Sequence, residues 1–280
     1  MFLLLFFPAR VGAQVHQEMG VSCGVANYYG TLQSSFLPTY GYKFMGGVIY
    51  KYYMNPYVGI RTGVSYANLT AADSLSSNAG FKARNLSFST HLWELHAALE
   101  INFAPLDILK AHFTPYIFGG ISAFYYNPYA LEPGGQKVFL RPLDTEGEGM
   151  PQYPDRREYS LVNMAFPFGG GLKCLIANKI VLAAEVGFRY TNTGYLDDVS
   201  KSYVNLDTLA YYKGPLSKQM AFRGNTVPGW NGTYPGYGDN RGNNIANDWY
   251  WFANFTITLY FNRVSRNDDE NKIDCPRIFR

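Results

Sequence analysis

Charge is what this sequence has least of. Asp, Glu, Lys and Arg make up 16% of its 280 residues, against roughly 25% in an average soluble domain. The net charge of +3 is small and scattered, which excludes a basic nucleic-acid surface. Histidine is scarce too, at 4 residues (His16, His91, His96 and His112), and no H-E-x-x-H pair occurs. A phosphate-cradling loop and a nucleophile elbow are missing as well. The chain holds no run of roughly 18 apolar residues, so no bilayer-spanning helix is encoded. The 3 cysteines, Cys23, Cys174 and Cys275, are an odd number, which argues against a paired disulfide framework.

Aromatic residues, by contrast, reach 17%, with 24 Tyr and 20 Phe, and there are 28 Gly. The mean hydropathy is nevertheless −0.16. An aromatic, glycine-rich, charge-poor chain suits an all-β protein. It suits a transmembrane barrel best, because Tyr and Trp settle at bilayer interfaces.

The first residues, "MFLLLFFPARVGAQ", place an apolar run after Met1 and the small residues Val11-Gly12-Ala13 before Gln14. This predicts a signal peptide over 1–13, although a basic leading segment is missing; a short buried strand is the competing reading. The mature barrel is then expected over 14–263 and a periplasmic tail over 264–280.

Eight segments alternate with the two-residue period of a strand: 18–27, 42–54, 56–69, 91–103, 113–126, 166–177, 179–191 and 249–262. In 91–103, Trp93, Leu95, Leu99, Ile101 and Phe103 oppose Glu94, His96, Glu100 and Asn102. Each segment is about 9–14 residues long, enough for a tilted strand to cross a bilayer. The gaps at 28–41, 70–90, 127–165 and 192–248 are long, whereas those at Asn55, 104–112 and Asn178 are short. Sorting long and short connections in this way matches extracellular loops and periplasmic turns. The expectation is an eight-stranded antiparallel transmembrane β-barrel in the bacterial outer membrane, with both termini periplasmic.

An eight-stranded barrel has an interior that side chains fill. The inward candidates are Glu18, Arg61, Glu94, Glu100, Lys173, Glu185 and Arg189. Such opposite charges pair, because a lone buried charge is costly, and a paired plug blocks conduction. Trp93, Trp249, Trp251 and Phe261 are expected in the aromatic girdles facing outer-membrane lipid.

The stretches "GVANYYGTLQ" (24–33), "HLWELHAALEINFAPLD" (91–107), "HFTPYIFGGISAFYYNP" (112–128) and "DCPRIF" (274–279) resemble a Bacteroidetes family of outer-membrane barrels that includes the PorG component of the type IX secretion system. The resemblance implies a barrel associated with the periplasmic PorK–PorN ring, helping to anchor the export machinery. Cys275, Pro276, Arg277 and Phe279, in the polar tail, are the candidate partner contacts. Cys275 is read either as pairing with, or packing against, a periplasmic partner or as a free thiol. Cys23 and Cys174 read as small apolar residues of strands.

Other chemistry is weaker. His96 and Glu100 share a strand face but stand about 13 Å apart, which suits a hydrogen-bonded lumen better than a metal. His91 with Ser87 or Ser89 sketches a lipid-modifying enzyme, but nothing supplies a third partner. Asp239 and Asp248 lie in a Gly- and Asn-rich loop that lacks the regular calcium-binding spacing. No catalytic residue, metal or cofactor is assigned. A non-enzymatic barrel within a secretion machine is the first reading. A structural or adhesive barrel acting through its loops is the alternative, and the lipid-modifying enzyme comes last.

Overall fold

The computed structural model describes residues 16–105, 113–176, 179–242 and 247–262. The predicted signal peptide and the tail, with Cys275, Pro276, Arg277 and Phe279, lie outside these residues. The strands are β1 (His16–Tyr29), β2 (Lys43–Tyr53), β3 (Val58–Ala72), β4 (Ser87–Asn102), β5 (Phe113–Tyr125), β6 (Tyr129–Leu131), β7 (Lys137–Phe139), β8 (Val162–Ile176), β9 (Ile180–Thr191) and β10 (Trp249–Asn262). Strands β1–β5 and β8–β10 pair antiparallel in succession, and β1 pairs along its whole length with β10. The sheet therefore closes into an eight-stranded barrel without free edges. The β6–β7 hairpin belongs to a loop and meets the rim of β4 through Ser89 and Tyr129.

Alternation explains why these segments form this barrel. Along β4 nearly every second residue is buried and its neighbours are exposed. Outward positions carry Val21 on β1, Val48 on β2, Val64 on β3, Leu95 on β4, Ile121 on β5, Leu172 on β8, Val186 on β9 and Phe255 on β10, all exposed. A soluble monomer exposes large apolar side chains singly or in small patches. Here every barrel strand contributes to one belt, and hydrocarbon is the solvent that suits such a surface.

The short β2–β3 turn shows how sequence sets local structure. Asn55 Oδ1 accepts the backbone N–H groups of Tyr57 and Val58, both at 2.9 Å, and Pro56 has no N–H to offer a ladder. The strands thus stop at Tyr53 and resume at Val58. At the β1–β10 seam, a Cβ on Gly20 would lie 1.9 Å from the Ile257 carbonyl oxygen, so only glycine fits.

The main apolar core fills the loop-side half of the lumen. Tyr28, Leu69, Phe88, Leu92, Phe124 and Phe252 continue there into loop residues Leu140, Leu196, Val199 and Met220. The long loops are therefore packed onto the barrel mouth as a cap, not left in solvent. Among the described residues they carry three short α-helices, α1 (Ala79–Arg84), α2 (Leu206–Lys213) and α3 (Pro215–Ala221).

Candidate functional site

Two buried polar regions stand out, one inside the barrel and one inside the cap. In the lumen, inward positions of β1, β2, β3, β4, β8 and β9 bring Glu18, Lys51, Arg61, Glu94, Glu100, Lys173, Glu185 and Arg189 together, each at most 6% exposed. Glu100 is the hub towards the short-turn end: Lys173 Nζ lies 2.5 Å from Oε1, Lys51 Nζ 3.0 Å from Oε2 and Arg61 Nη1 3.5 Å from Oε2. The Tyr53 hydroxyl also donates to Glu100, and Lys173 donates to Tyr53 Oη at 2.7 Å. Arg61 forms a two-pronged pair with Glu185 at 2.9 and 3.0 Å. Its guanidinium also stacks on Phe118, 4.1 Å from the ring centre. Tyr116 donates to Glu185 at 2.7 Å.

Nearer the loops, Glu94 accepts from Arg189 Nε at 3.2 Å and from Tyr250 Oη at 2.5 Å, and His96 Nδ1 lies 3.4 Å away. Glu18 accepts from Thr258 at 2.9 Å, with His16 Nε2 at 3.6 Å. The lumen is thus braced by ion pairs and tyrosines, in one network around Glu100 and Glu185 and another around Glu94. Such a brace holds opposite walls together, because each two-pronged pair fixes direction as well as distance.

Sequence reasoning missed Lys51. Both faces of β2 are bulky (Tyr50, Tyr52 and Tyr53 surround it), so alternation there is blurred. A signal exists nonetheless, since the four inward carboxylates legible in the sequence face only three legible cations.

The girdle residues separate. Trp93 and Phe261 are exposed on the outer face. Trp249 is half-buried, its ring 4.9 Å from Tyr190 and 6.1 Å from Phe36. Trp251 requires a correction, because it is only 4% exposed. It keeps the outward parity of β10, but Tyr42 from the β1–β2 loop packs its edge over the indole. His91 lies on the outer face with its Nδ1 taken by Tyr66 Oη at 2.7 Å and Asn68 Oδ1 at 2.6 Å, while Ser89 pairs with Thr70. Cys23 is exposed and Cys174 half-buried, both as free thiols.

The cap is built around Arg241 and Arg84. Asp73 takes Arg84 in a two-pronged pair, both contacts at 2.7 Å, and accepts the Leu86 N–H at 2.9 Å. Arg84 also donates to the Arg241 carbonyl. Arg241 donates to Glu146 Oε1 at 3.0 Å and to the Asp198 and Ala221 carbonyls at 2.6 and 3.1 Å. Glu146 accepts the N–H groups of Ser200 and Lys201. Thr145 and Tyr159 donate to the two oxygens of Asp198 at 2.6 and 2.7 Å.

At the junction with the barrel, the Tyr28 hydroxyl donates to Asp197 Oδ2 at 2.6 Å and lies 3.0 Å from Asp248 Oδ1. Burial raises the carboxyls of Asp197, Asp198 and Glu148 above the usual range. Asp248 is raised by burial and then by the charge of Asp197. Asp239, the other calcium candidate, is exposed and accepts the Gly236 N–H at 2.7 Å. Among the described residues no group of three or more His, Cys, Asp or Glu is placed to hold a metal ion.

Outer-membrane proteins are among the solved structures to which this chain is similar. Neisserial surface protein A matches with 10% identity over 89% of this chain and 98% of its own, at a TM-score of 0.41. The outer membrane protein OprG from Pseudomonas aeruginosa matches with 7% identity over 89% and 97%, at a TM-score of 0.39. The N-terminal β-barrel domain of Pseudomonas aeruginosa OprF gives 8% identity over 89% and 98%, at 0.38. No curated protein matches the sequence. Residues 1–141 match the model of a family described as a domain of unknown function, DUF6089, and the chain belongs to that family.

Proposed function

We propose that this member of the DUF6089 family is a non-enzymatic, closed barrel of the outer membrane that holds other molecules at the membrane rather than conducting or transforming them. The observation that carries the reading is the lumen. It is crossed by the Glu100 and Glu185 ion pairs and sealed towards the loops by an apolar core. Reconstituted in planar bilayers, the protein is expected to give no stepwise ion conductance, and regular conductance steps overturn the reading.

Within it, the finer proposal is a component of the type IX secretion machinery that anchors a periplasmic PorK–PorN ring. The strand and tail stretches that resemble the secretion-barrel family support it, and the partner contact is then the segment 264–280. Deleting that segment is expected to abolish co-purification of the ring proteins while leaving the barrel in the membrane. Undiminished co-purification removes the role of the tail.

One observation favours a second reading, a surface barrel that acts through its loops. The cap has a core of its own, with Met150, Val204, Leu206, Leu209 and Phe222 buried together. Loops that serve only as connections have no need of one.

A further inference from the structure

Beyond the barrel and whatever partner meets its other end, the cap contains a cleft of about 660 Å³, which lies between α1, the β1–β2 loop and the segments around Tyr203 and 230–242. This is within the range of small-molecule sites, about 300–1,000 Å³. A second cleft of about 450 Å³ adjoins it and shares Ala83, Trp230 and Asn231. Trp230 therefore stands between two neighbouring recesses.

The chemistry of the walls narrows the ligand. Arg84 and Arg241 border the larger cleft, but Asp73, Glu146 and main-chain carbonyls already neutralise and occupy both guanidinium groups. Neither is left over to attract an anion. Asp239 lines the same cleft, and one of its carboxylate oxygens accepts the Gly236 N–H. Asp239 and, in the second cleft, Lys82 are the exposed charges left, one of each sign, and the rest of the lining is aromatic or neutral. Tyr203 meets Phe222 edge-on at 6.0 Å, Phe222 lies 6.4 Å from Trp230, and Trp230 lies 4.9 Å from Tyr234. The amide planes of Asn78 and Asn231 are fixed by N–H groups donated from Gly80 and Thr233.

Tyr203 adds an independent observation. It is 3% exposed, lines the cleft, and its hydroxyl has no hydrogen-bond partner among the described residues. A buried hydroxyl without a partner is costly, and a ligand that accepts its proton removes the cost. Burial pushes this phenol up to about 12, so it stays a donor at neutral pH.

The half-buried Trp230 ring, beside neutral amides and one unpartnered hydroxyl, matches a pyranose ring, which has an apolar C–H face and a rim of hydroxyl groups. An extended peptide is a poorer fit, since it docks on a free strand edge and the walls here are a helix and loops. We propose that the cap binds a neutral oligosaccharide of at least two rings across both recesses, with Trp230 stacking on sugar and the Tyr203 hydroxyl donating to a sugar oxygen.

The test uses the full chain folded in a detergent without a sugar headgroup. The labelled protein is applied to an array of neutral hexose and N-acetylhexosamine oligosaccharides of two to six rings, beside sialylated and sulfated ones and a peptide array. Saturable binding to a neutral oligosaccharide is expected. Trp230→Ala should weaken it about tenfold or more, and Tyr203→Phe, which keeps the ring and its packing, about three- to tenfold. Three results overturn the proposal: no neutral oligosaccharide bound at millimolar concentration, binding confined to anionic glycans or peptides, or binding that both variants leave unchanged.

Discussion

Inside the barrel, four buried carboxylates meet four buried cations; Lys51, Arg61, Lys173 and Arg189 answer Glu18, Glu94, Glu100 and Glu185. The cap buries Asp73, Asp144, Glu146, Glu148, Asp197, Asp198 and Asp248, but only Arg84, Arg156 and Arg241 as comparably buried cations among the described residues. Both regions are buried and polar, yet only the first closes its charge balance with side chains. In the second, protons and main-chain N–H groups must do what cations do in the barrel. The lumen is thus a fixed brace, whereas the order of the cap depends on conditions. That division suits a rigid wall carrying an adaptable surface.

The strongest way to break the comparison is to unbalance the lumen. Glu100→Ala leaves Lys51 and Lys173 without their close carboxylate and takes one partner from Arg61. Stranding buried charges in this way costs about 3–5 kcal/mol. Urea unfolding of the refolded barrel should show that loss across all strands. A change below about 1 kcal/mol would mean that the brace adds little to the barrel.

The same removal in the cap should act locally. Arg241→Met withdraws the cation that faces Glu146 and Asp198, and about 3 kcal/mol of local order should go with it. Hydrogen exchange is expected to quicken through 192–242 and to stay slow in β1–β5. Equal loosening of the strands would show that cap and barrel form one cooperative unit.

The two regions were not equally legible in the sequence. Period-2 alternation names a face, so Glu94 and Glu100 could be placed inside from β4 alone. It does not say what lies over that face, which is why Trp251 has outward parity and is nevertheless covered by Tyr42. Lys51 escaped because its strand is aromatic on both sides. The cap was hidden almost entirely. Asp197 and Asp248 lie far apart in the chain and meet only because Tyr28, on β1, reaches up between them. A loop rich in Gly and Asn reads as solvated when its buried partners belong to other loops. Its few apolar residues carry no period that marks them as core.

A pH series sharpens the contrast without mutation. Asp197, Asp198, Asp248 and Glu148 hold their protons more tightly in the folded cap than in an unfolded loop, chiefly through burial. Their folded values are raised, so their stabilising contribution is complete in acid, below the ordinary carboxylate range. It is lost as the pH rises through the raised values, with a slope of up to about 1.4 kcal/mol per pH unit for each group. Between about pH 4, where an unfolded carboxylate ionises, and about pH 8, proteolysis within 192–242 should therefore accelerate while the barrel fragment survives. Asp197→Asn, which removes one titrating member of the Tyr28 cluster, should flatten the profile. A profile that is flat in the native protein would remove the protons from the account.

The smallest expected effect isolates burial from the mere presence of an ion pair. Lys218 Nζ lies 2.6 Å from Asp207 Oδ1, as short as the contacts inside the lumen, but the Asp207 side chain is 87% exposed. Water already solvates that carboxylate, and salt screens the pair. Asp207→Asn is expected to change cap stability by less than about 0.5 kcal/mol at physiological salt, with little left at about 1 M. The carboxamide retains an oxygen for Lys218, so any loss reports on charge alone. If this substitution rivals Arg241→Met in hydrogen exchange, the cap would owe its order to ion pairs irrespective of burial. The distinction between a balanced lumen and a proton-dependent cap would then lose its basis.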